Sequence, residues 1–177
     1  MLYAGLGVVS AALRFYRLGD APLSASEASS ALSAWDLASG AGRNGDTVRL
    51  PVSPLLHALQ TLTFWLAGNA SASLARLWPA LSGSMLVFWP IILRHRIGHG
   101  AALVAVCFFA LSPGLWAVSR TGDGMALALF CGLLMDAGWR GFSSGLGQRG
   151  LTLAAFGFGA GLAAGPHFVT MLFLGSV

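Results

Sequence analysis

The chain is poor in charge: only 9% of its 177 residues are charged, and it contains no lysine. Soluble domains carry about 25% charged residues, so this sequence has too few to cover a water-facing surface. Its ten basic residues are all arginines scattered singly along the chain, whereas a nucleic-acid-binding domain gathers them in a patch or stripe. The composition therefore argues against a soluble globular domain and against a nucleic-acid partner.

Cysteine is also scarce. Cys107 and Cys131 each stand inside an apolar run, so no disulfide framework is implied. There is no CxxC motif, and His95 and His99 form an HxxxH pattern without the glutamate of a zinc-binding motif. The sequence therefore gives no sign of a structural metal. What is abundant is apolar surface, since 56% of the residues are hydrophobic and the mean hydropathy is +0.74.

Apolar runs predict an all-α, polytopic transmembrane helical bundle. A bilayer core about 30 Å thick needs roughly 20 helical residues to cross. Four runs are read as spanning helices: 74–93, 101–118, 125–139 and 151–175. With the shorter run 2–13 they predict about five spans. The short first run and the apolar last one lead us to expect one transmembrane domain, 1–177, that is the N-terminal part of a longer protein. A short first helix that thins the bilayer is the alternative.

The position of the arginines bears on the run 52–67. This run is only sixteen residues long and contains several polar residues, which favours an interfacial or re-entrant helix. If it does not cross, the loops around 94–99 and 140–149 share one side, with four arginines and no acid, as cytoplasmic loops do. Residues of about 14–73 then form one external loop. If it does cross, everything before it changes sides.

A second surface-lying helix is predicted within this loop. Ser24-Ala25-Ser26-Glu27 has the capping-box pattern, with Ser24 at the N-cap. An apolar stripe follows at helical spacing: Ala28, Ala31, Leu32, Trp35 and Ala38. Glu27 borders the stripe, near the predicted water–lipid boundary, where a carboxylate could act as general base on an acceptor hydroxyl. The alternative is that Glu27 only completes the capping box.

Other candidate site residues stand at the predicted outer ends of spans. Asp123 lies in a glycine-containing turn, where it could act chemically or cap the next helix. Arg120 could pair with Asp123 or bind a phosphate. Arg76, together with Arg14 and Arg17, could set a positive rim around a lipid-linked phosphate; the alternative is that each of the three only anchors its helix end. His167 follows a proline inside the last run, where a polar residue is either functional or part of a hydrogen-bonded bend.

Nine short stretches follow one another along nearly the whole chain: Leu13-Arg14-Phe15-Tyr16-Arg17-Leu18-Gly19-Asp20-Ala21-Pro22-Leu23, Glu27-Ala28, Ala31-Leu32, Pro54-Leu55-Leu56-His57-Ala58-Leu59, Ala75-Arg76-Leu77-Trp78-Pro79-Ala80-Leu81, Leu93-Arg94-His95-Arg96-Ile97-Gly98, Ala110-Leu111-Ser112-Pro113, Ser119-Arg120 and Gly161-Leu162-Ala163. Together they resemble protein O-mannosyltransferase-like enzymes of the glycosyltransferase family 39 type, which have the GT-C fold. In that family an Asp-Glu pair opens the first external loop. Here Glu27 matches the glutamate, and Ser26 stands where the aspartate would be.

The resemblance implies a membrane glycosyltransferase in a prokaryotic plasma membrane, with its active face extracytoplasmic. A sugar would pass from a polyprenyl-phosphate donor to a protein, lipid or glycan acceptor. Glu27 and Asp123 would be the catalytic residues, and Arg76, Arg120 and His167 would bind the donor phosphate. The resemblance implies no cofactor, except a divalent cation at Asp123 in a metal-dependent variant. The competing hypothesis is a catalytically inactive GT-C-like scaffold or subunit; a transporter is a third.

Overall fold

The computed structural model describes residues 2–40 and 51–175, and every regular element in these two stretches is a helix. The predicted all-α class is therefore confirmed. Residues 41–50, which belong to the predicted external loop, lie outside the described residues.

Twelve α-helices follow one another along the described chain. They are α1 (Leu2–Phe15), α2 (Ala25–Ser39), α3 (Pro54–Ala67), α4 (Ala72–Ala75), α5 (Leu77–Leu86), α6 (Trp89–Ile92), α7 (Arg94–Ile97), α8 (His99–Leu111), α9 (Pro113–Arg120), α10 (Met125–Gly141), α11 (Gln148–Ala164) and α12 (Pro166–Gly175). The π-helical turn Phe142–Leu146 continues α10.

The predicted single span over 151–175 is wrong, because the chain divides there into α11 and α12. Gly165 has φ +110°, a conformation that favours glycine, and Pro166 follows it. The chain turns back at this point, so that Phe168 of α12 packs against Gly161 of α11. The final apolar run is thus two antiparallel helices rather than one crossing.

The helices run between two ends of a bundle. At one end, called here the Glu27 end, Arg76 bonds to the Leu18 carbonyl, and the Gly122 amide bonds to Glu27. At the opposite end, the hydroxyl of Tyr3 donates to the carbonyl of His99 over 3.0 Å. Five helical passes connect the two ends in the described chain: α1, α5–α6, α8–α9, α10 and α11. This number equals that of the predicted spans.

Length and composition identify few of these passes as membrane spans. In the described chain, Met125–Gly145 is the one helix that is long and apolar enough, and α8 with α9 makes a second if the two arms, bent by 52°, count as one span. Gly5–Phe15 and Leu77–Ile92 are apolar but shorter. Core helices of soluble proteins can have the same properties, so the polytopic membrane bundle stays a prediction.

The helix α3 begins and finishes at the Glu27 end. The two residues that precede it, Val52 and Ser53, lie against Gly165 and Gly124. Its middle is tied to the start of the next pass, because Gln60 donates to the Ala75 carbonyl over 2.8 Å. The run 52–67 therefore does not carry the chain from one end of the bundle to the other, as the interfacial or re-entrant interpretation requires.

Part of the apolar stripe of α2, namely Ala31, Trp35 and Ala38, packs against α3 and α4. Ala31 and Ala34 are buried in a cluster with Phe64 and Ala75, and Trp35 lies edge-on to Phe64 with ring centroids 6.4 Å apart. The α3 helix therefore supplies an apolar partner for part of the stripe, while Ala28 and Leu32 are exposed. That α2 lies along the membrane surface stays a prediction.

Glycines hold α10 and α11 in close contact. A Cβ at Gly138 would lie 2.2 Å from the Ala154 nitrogen, and one at Gly157 would lie 2.5 Å from the Met135 nitrogen. Because these contacts are with backbone atoms, any larger residue would force the two helices apart. The hairpin therefore depends on small residues along one face of each helix, a common arrangement in membrane helix pairs.

Candidate functional site

Glu27 is fixed in place by the start of its own helix. The Ser24 hydroxyl accepts a bond from the Glu27 amide over 3.3 Å, and the Glu27 carboxylate accepts one from the Ser24 amide over 2.9 Å. The predicted capping box is therefore confirmed. Ser26, which stands at the position of the family's aspartate, is exposed and lies within hydrogen-bond distance of Ser24.

Arg76 forms a buried ion pair with Glu27. Its Nη2 lies 3.0 Å from Glu27 Oε2, and both side chains are only 7% exposed. The guanidinium also donates to three carbonyl oxygens of the chain that leads into α2: Leu18, Ala21 and Pro22. Its four Nη hydrogens are therefore all engaged within the protein, and its Nε is buried without a partner in the described chain.

A backbone amide completes the environment of Glu27. The Gly122 N–H, from the turn between α9 and α10, donates to Oε1. A Cβ at Gly122 would lie 3.2 Å from Glu27 Cγ, so glycine allows this close approach. Three donors from separate parts of the chain thus converge on one carboxylate: the Ser24 amide, Arg76 and the Gly122 amide.

These contacts lower the pKa of Glu27. Burial alone would raise the pKa of this carboxyl, but the hydrogen bonds from Arg76 and from the amides of Ser24 and Gly122, with the charge of Arg76, outweigh it. A carboxylate with a lowered pKa and both oxygens occupied is a poor proton acceptor. In this conformation the Glu27 carboxylate is buried and cannot reach an acceptor hydroxyl as the predicted base would. Arg76 has no free Nη hydrogen to donate to a phosphate.

Asp123 follows directly after Gly122 and is exposed. Its carboxylate has no hydrogen bond or ion pair within the described residues. The proposed capping role is wrong, because the N-cap of α10 is Gly124, and no side chain caps that helix. Asp123 is therefore an accessible carboxylate in the residue that follows the Gly122 amide, which bonds to Glu27.

Arg120 and His167 lie at the same end but do not contact Glu27. Arg120 donates through Nη2 to the Arg17 carbonyl over 2.8 Å, and its guanidinium carbon stands 4.8 Å from the centre of the Trp116 ring. The predicted pairing of Arg120 with Asp123 does not occur. His167 is half-buried in the first turn of α12.

Two polar groups at this end were not predicted as site residues. The Ser53 hydroxyl is buried without a partner in the described chain, at the close approach to Gly124. His57 lies 3.1 Å from the Ser33 hydroxyl, and burial lowers its pKa. The amide of Gly122 was also missed, because a backbone donor has no sequence signature other than the glycine itself.

Metal ligands do not cluster in the part of the chain that the structure describes, since no group of three or more His, Cys, Asp or Glu residues could hold an ion there. The divalent cation of a metal-dependent variant therefore stays a prediction, with Asp123 as its one candidate ligand.

Comparisons with known protein families, curated proteins and solved structures identify no relative of this chain. No protein-family model matches the sequence. No curated protein and no solved structure matches it either. The resemblance to the mannosyltransferase-like enzymes thus depends on the quoted motifs alone.

Proposed function

We propose that the chain acts as a membrane glycosyltransferase, which transfers a sugar from a polyprenyl phosphate to an acceptor at the extracytoplasmic face of a prokaryotic plasma membrane. The observation that carries the proposal is the convergence at one end of the bundle. Glu27, Arg76 and the Gly122–Asp123 turn come from three distant parts of the sequence and meet there.

The surface of the bundle supports membrane embedding. Large apolar side chains are exposed on passes that connect the two ends, including Val8 (69%), Val104 (68%) and Phe156 (68%). Large contiguous apolar surface is rare on soluble monomers, whereas lipid covers it at no cost. Within each helical segment most backbone groups also bond to one another, as a bilayer requires.

The groups accessible at the Glu27 end suggest which residue performs each step of sugar transfer. Asp123 would take the proton of an acceptor hydroxyl as its oxygen bonds to the sugar C1 and the bond from C1 to the phosphate oxygen breaks. The lipid phosphate would leave with the electron pair, and Arg120, with donors beyond its one backbone bond, would stabilise that charge. His167 is the second candidate for phosphate contact. Glu27 and Arg76 would position the turn that carries Asp123.

A transfer assay tests this proposal. Full-length protein in liposomes is supplied with a radiolabelled hexosyl polyprenyl phosphate and a glycan or peptide acceptor. Asp123→Asn is expected to lower the rate by about 10²–10⁴-fold, the usual contribution of a positioned base. Asp136→Asn is the matched control, because Asp136 pairs with Arg140 at the opposite end of α10. Equal rates for Asp123→Asn and wild type would contradict the role of Asp123.

A catalytically inactive scaffold is the second candidate, favoured by one observation. Glu27 and Arg76 neutralise each other, and their oxygens and Nη hydrogens are all engaged within the protein. An end of the bundle that served only stability would likewise leave these two residues no group free to bind a substrate. Wild-type protein that binds the lipid donor but transfers no sugar to any acceptor class would favour the scaffold.

A further inference from the structure

The pass formed by α8 and α9 is broken where a proline removes a backbone donor. In a continuous helix, the amide of residue 113 would donate to the Phe109 carbonyl. Pro113 has no N–H, the last bond of α8 runs from the Ser112 amide to the Phe108 carbonyl, and α9 begins with a bond from Trp116 to Ser112. The Phe109 carbonyl is therefore freed at a bend of 52°.

Arg14 of α1 supplies the missing donor. Its Nη2 donates to the Phe109 carbonyl over 3.1 Å, while Nη1 bonds to the hydroxyl and carbonyl oxygens of Ser10 one turn earlier in α1. Arg14 is 0% exposed and has no ion pair in the described part of the chain. A buried guanidinium without a carboxylate partner needs another reason to be there, and the freed carbonyl provides it.

The far arm of the bend is held by the same segment of α1. The Trp116 indole donates to the Leu13 carbonyl over 3.3 Å, and Arg120 donates to the Arg17 carbonyl over 2.8 Å. The end of α1 and the turn after it thus bind the pass on both sides of the break. The angle of the bend decides where the turn after Arg120 lies, and this turn brings Gly122 and Asp123 to Glu27.

We propose that Arg14 is a positioning residue: by bonding to the carbonyl that Pro113 frees, it holds the α8–α9 bend at the angle that places Asp123 beside the Glu27–Arg76 pair. The geometric part of this inference stands without the proposed function, whereas the consequence for sugar transfer depends on it. The eight residues of α9 span about 12 Å, so straightening the bend would move its far end by about 10 Å.

Spin-label distances in the full chain test the geometry. Labels are placed on the exposed residues Ala117 of α9 and Phe156 of α11, in lipid nanodiscs, with Cys107 and Cys131 replaced by alanine in every variant. Arg14→Met is expected to broaden the distance distribution or shift it by several ångströms. Adding Pro113→Ala restores the backbone donor, so the double variant is expected to show one narrow distribution, displaced from that of the parent.

Stability and sugar transfer separate a positioning role from a merely structural one. Arg14→Met is expected to lower the melting temperature and to reduce transfer by about 10²-fold or more, because a misplacement of only about 1 Å can cost that factor. Pro113→Ala in that background should restore the melting temperature but not the transfer, because a straight pass leaves Asp123 displaced.

Two results would overturn the inference: an unchanged distance distribution in Arg14→Met, or recovery of both melting temperature and transfer in the double variant. If the parent protein transfers no sugar, the proposed function fails, and the label distances alone decide whether Arg14 holds the bend.

Discussion

The Glu27 end and the α10–α11 hairpin hold helices together by opposite means. At the Glu27 end, one carboxylate gathers donors from the start of α2, from Arg76 and from the turn before α10. In the hairpin, the contact is made by backbone against backbone, with glycine at Gly138, Gly150 and Gly157. The first arrangement depends on charge and on single atoms; the second depends on shape.

This difference has a functional consequence. A packed glycine face needs no charge and no specific side-chain partner, so it suits a rigid scaffold. A buried ion pair costs desolvation energy and is seldom retained for stability alone. We interpret the Glu27–Arg76 pair as the group that holds the Gly122–Asp123 turn in a defined position.

Removing one partner of the buried pair should give the largest loss of stability. Arg76→Met leaves the Glu27 carboxylate buried with two amides and no cation, and the expected cost is about 3–5 kcal/mol. The free energy of unfolding, from SDS titration in mixed micelles, measures it. The control is Arg140→Met, since the Asp136–Arg140 pair is 35–41% exposed and should cost about 0–1 kcal/mol. Equal losses for the two variants would erase the contrast between the pairs.

A substitution in the hairpin should have an intermediate effect. Gly138→Ala places a Cβ 2.2 Å from a backbone nitrogen, so the helices must separate, at an expected cost of about 1–3 kcal/mol. Gly159→Ala in α11 is the matched control, because no atom lies within 4 Å of its added Cβ and alanine favours a helix. If Gly138→Ala were as stable as Gly159→Ala, the close backbone contact would not exist.

Acid should weaken the Glu27 end and leave the hairpin contact unaffected. The folded-state pKa of Glu27 lies below that of an unfolded glutamate, about 4.3. Its contribution is therefore complete above that value and is lost as the pH falls through the folded-state pKa. Unfolding free energies between pH 3 and 7 should decline less steeply for Glu27→Gln than for wild type, whereas Gly138→Ala should keep the wild-type slope. Parallel curves for Glu27→Gln and wild type would contradict the lowered pKa.

Local patterns in the sequence were sufficient to predict some elements of this structure. The capping box at Ser24 and the failure of 52–67 to connect the two ends follow from short-range spacing and length, and both are seen. The turn at Gly165-Pro166 could have been predicted, since that dipeptide breaks helices. It was not, because the run 151–175 is apolar on both sides of the dipeptide.

The contacts between distant segments could not be predicted in the same way. Nothing in the spacing of Glu27 and Arg76 shows that they are partners, and the Gly122 amide carries no side-chain signal. The burial of Arg14 is a similar case, because the need for it arises at Pro113, about a hundred residues later. Pairing of this kind is set by how the passes pack rather than by local sequence.

The central claim is that Glu27 and Asp123 share one face of a membrane. Single cysteines at the exposed neighbours Ser26 and Thr121, and at exposed Ser143 of the opposite end, are placed in a chain whose native cysteines are alanine. An impermeant maleimide is then applied to sealed, right-side-out vesicles. Positions 26 and 121 are expected to be labelled from outside, and position 143 only after the vesicles are opened. Labelling of 26 and 121 from different sides, or of all three from one side, would contradict the account.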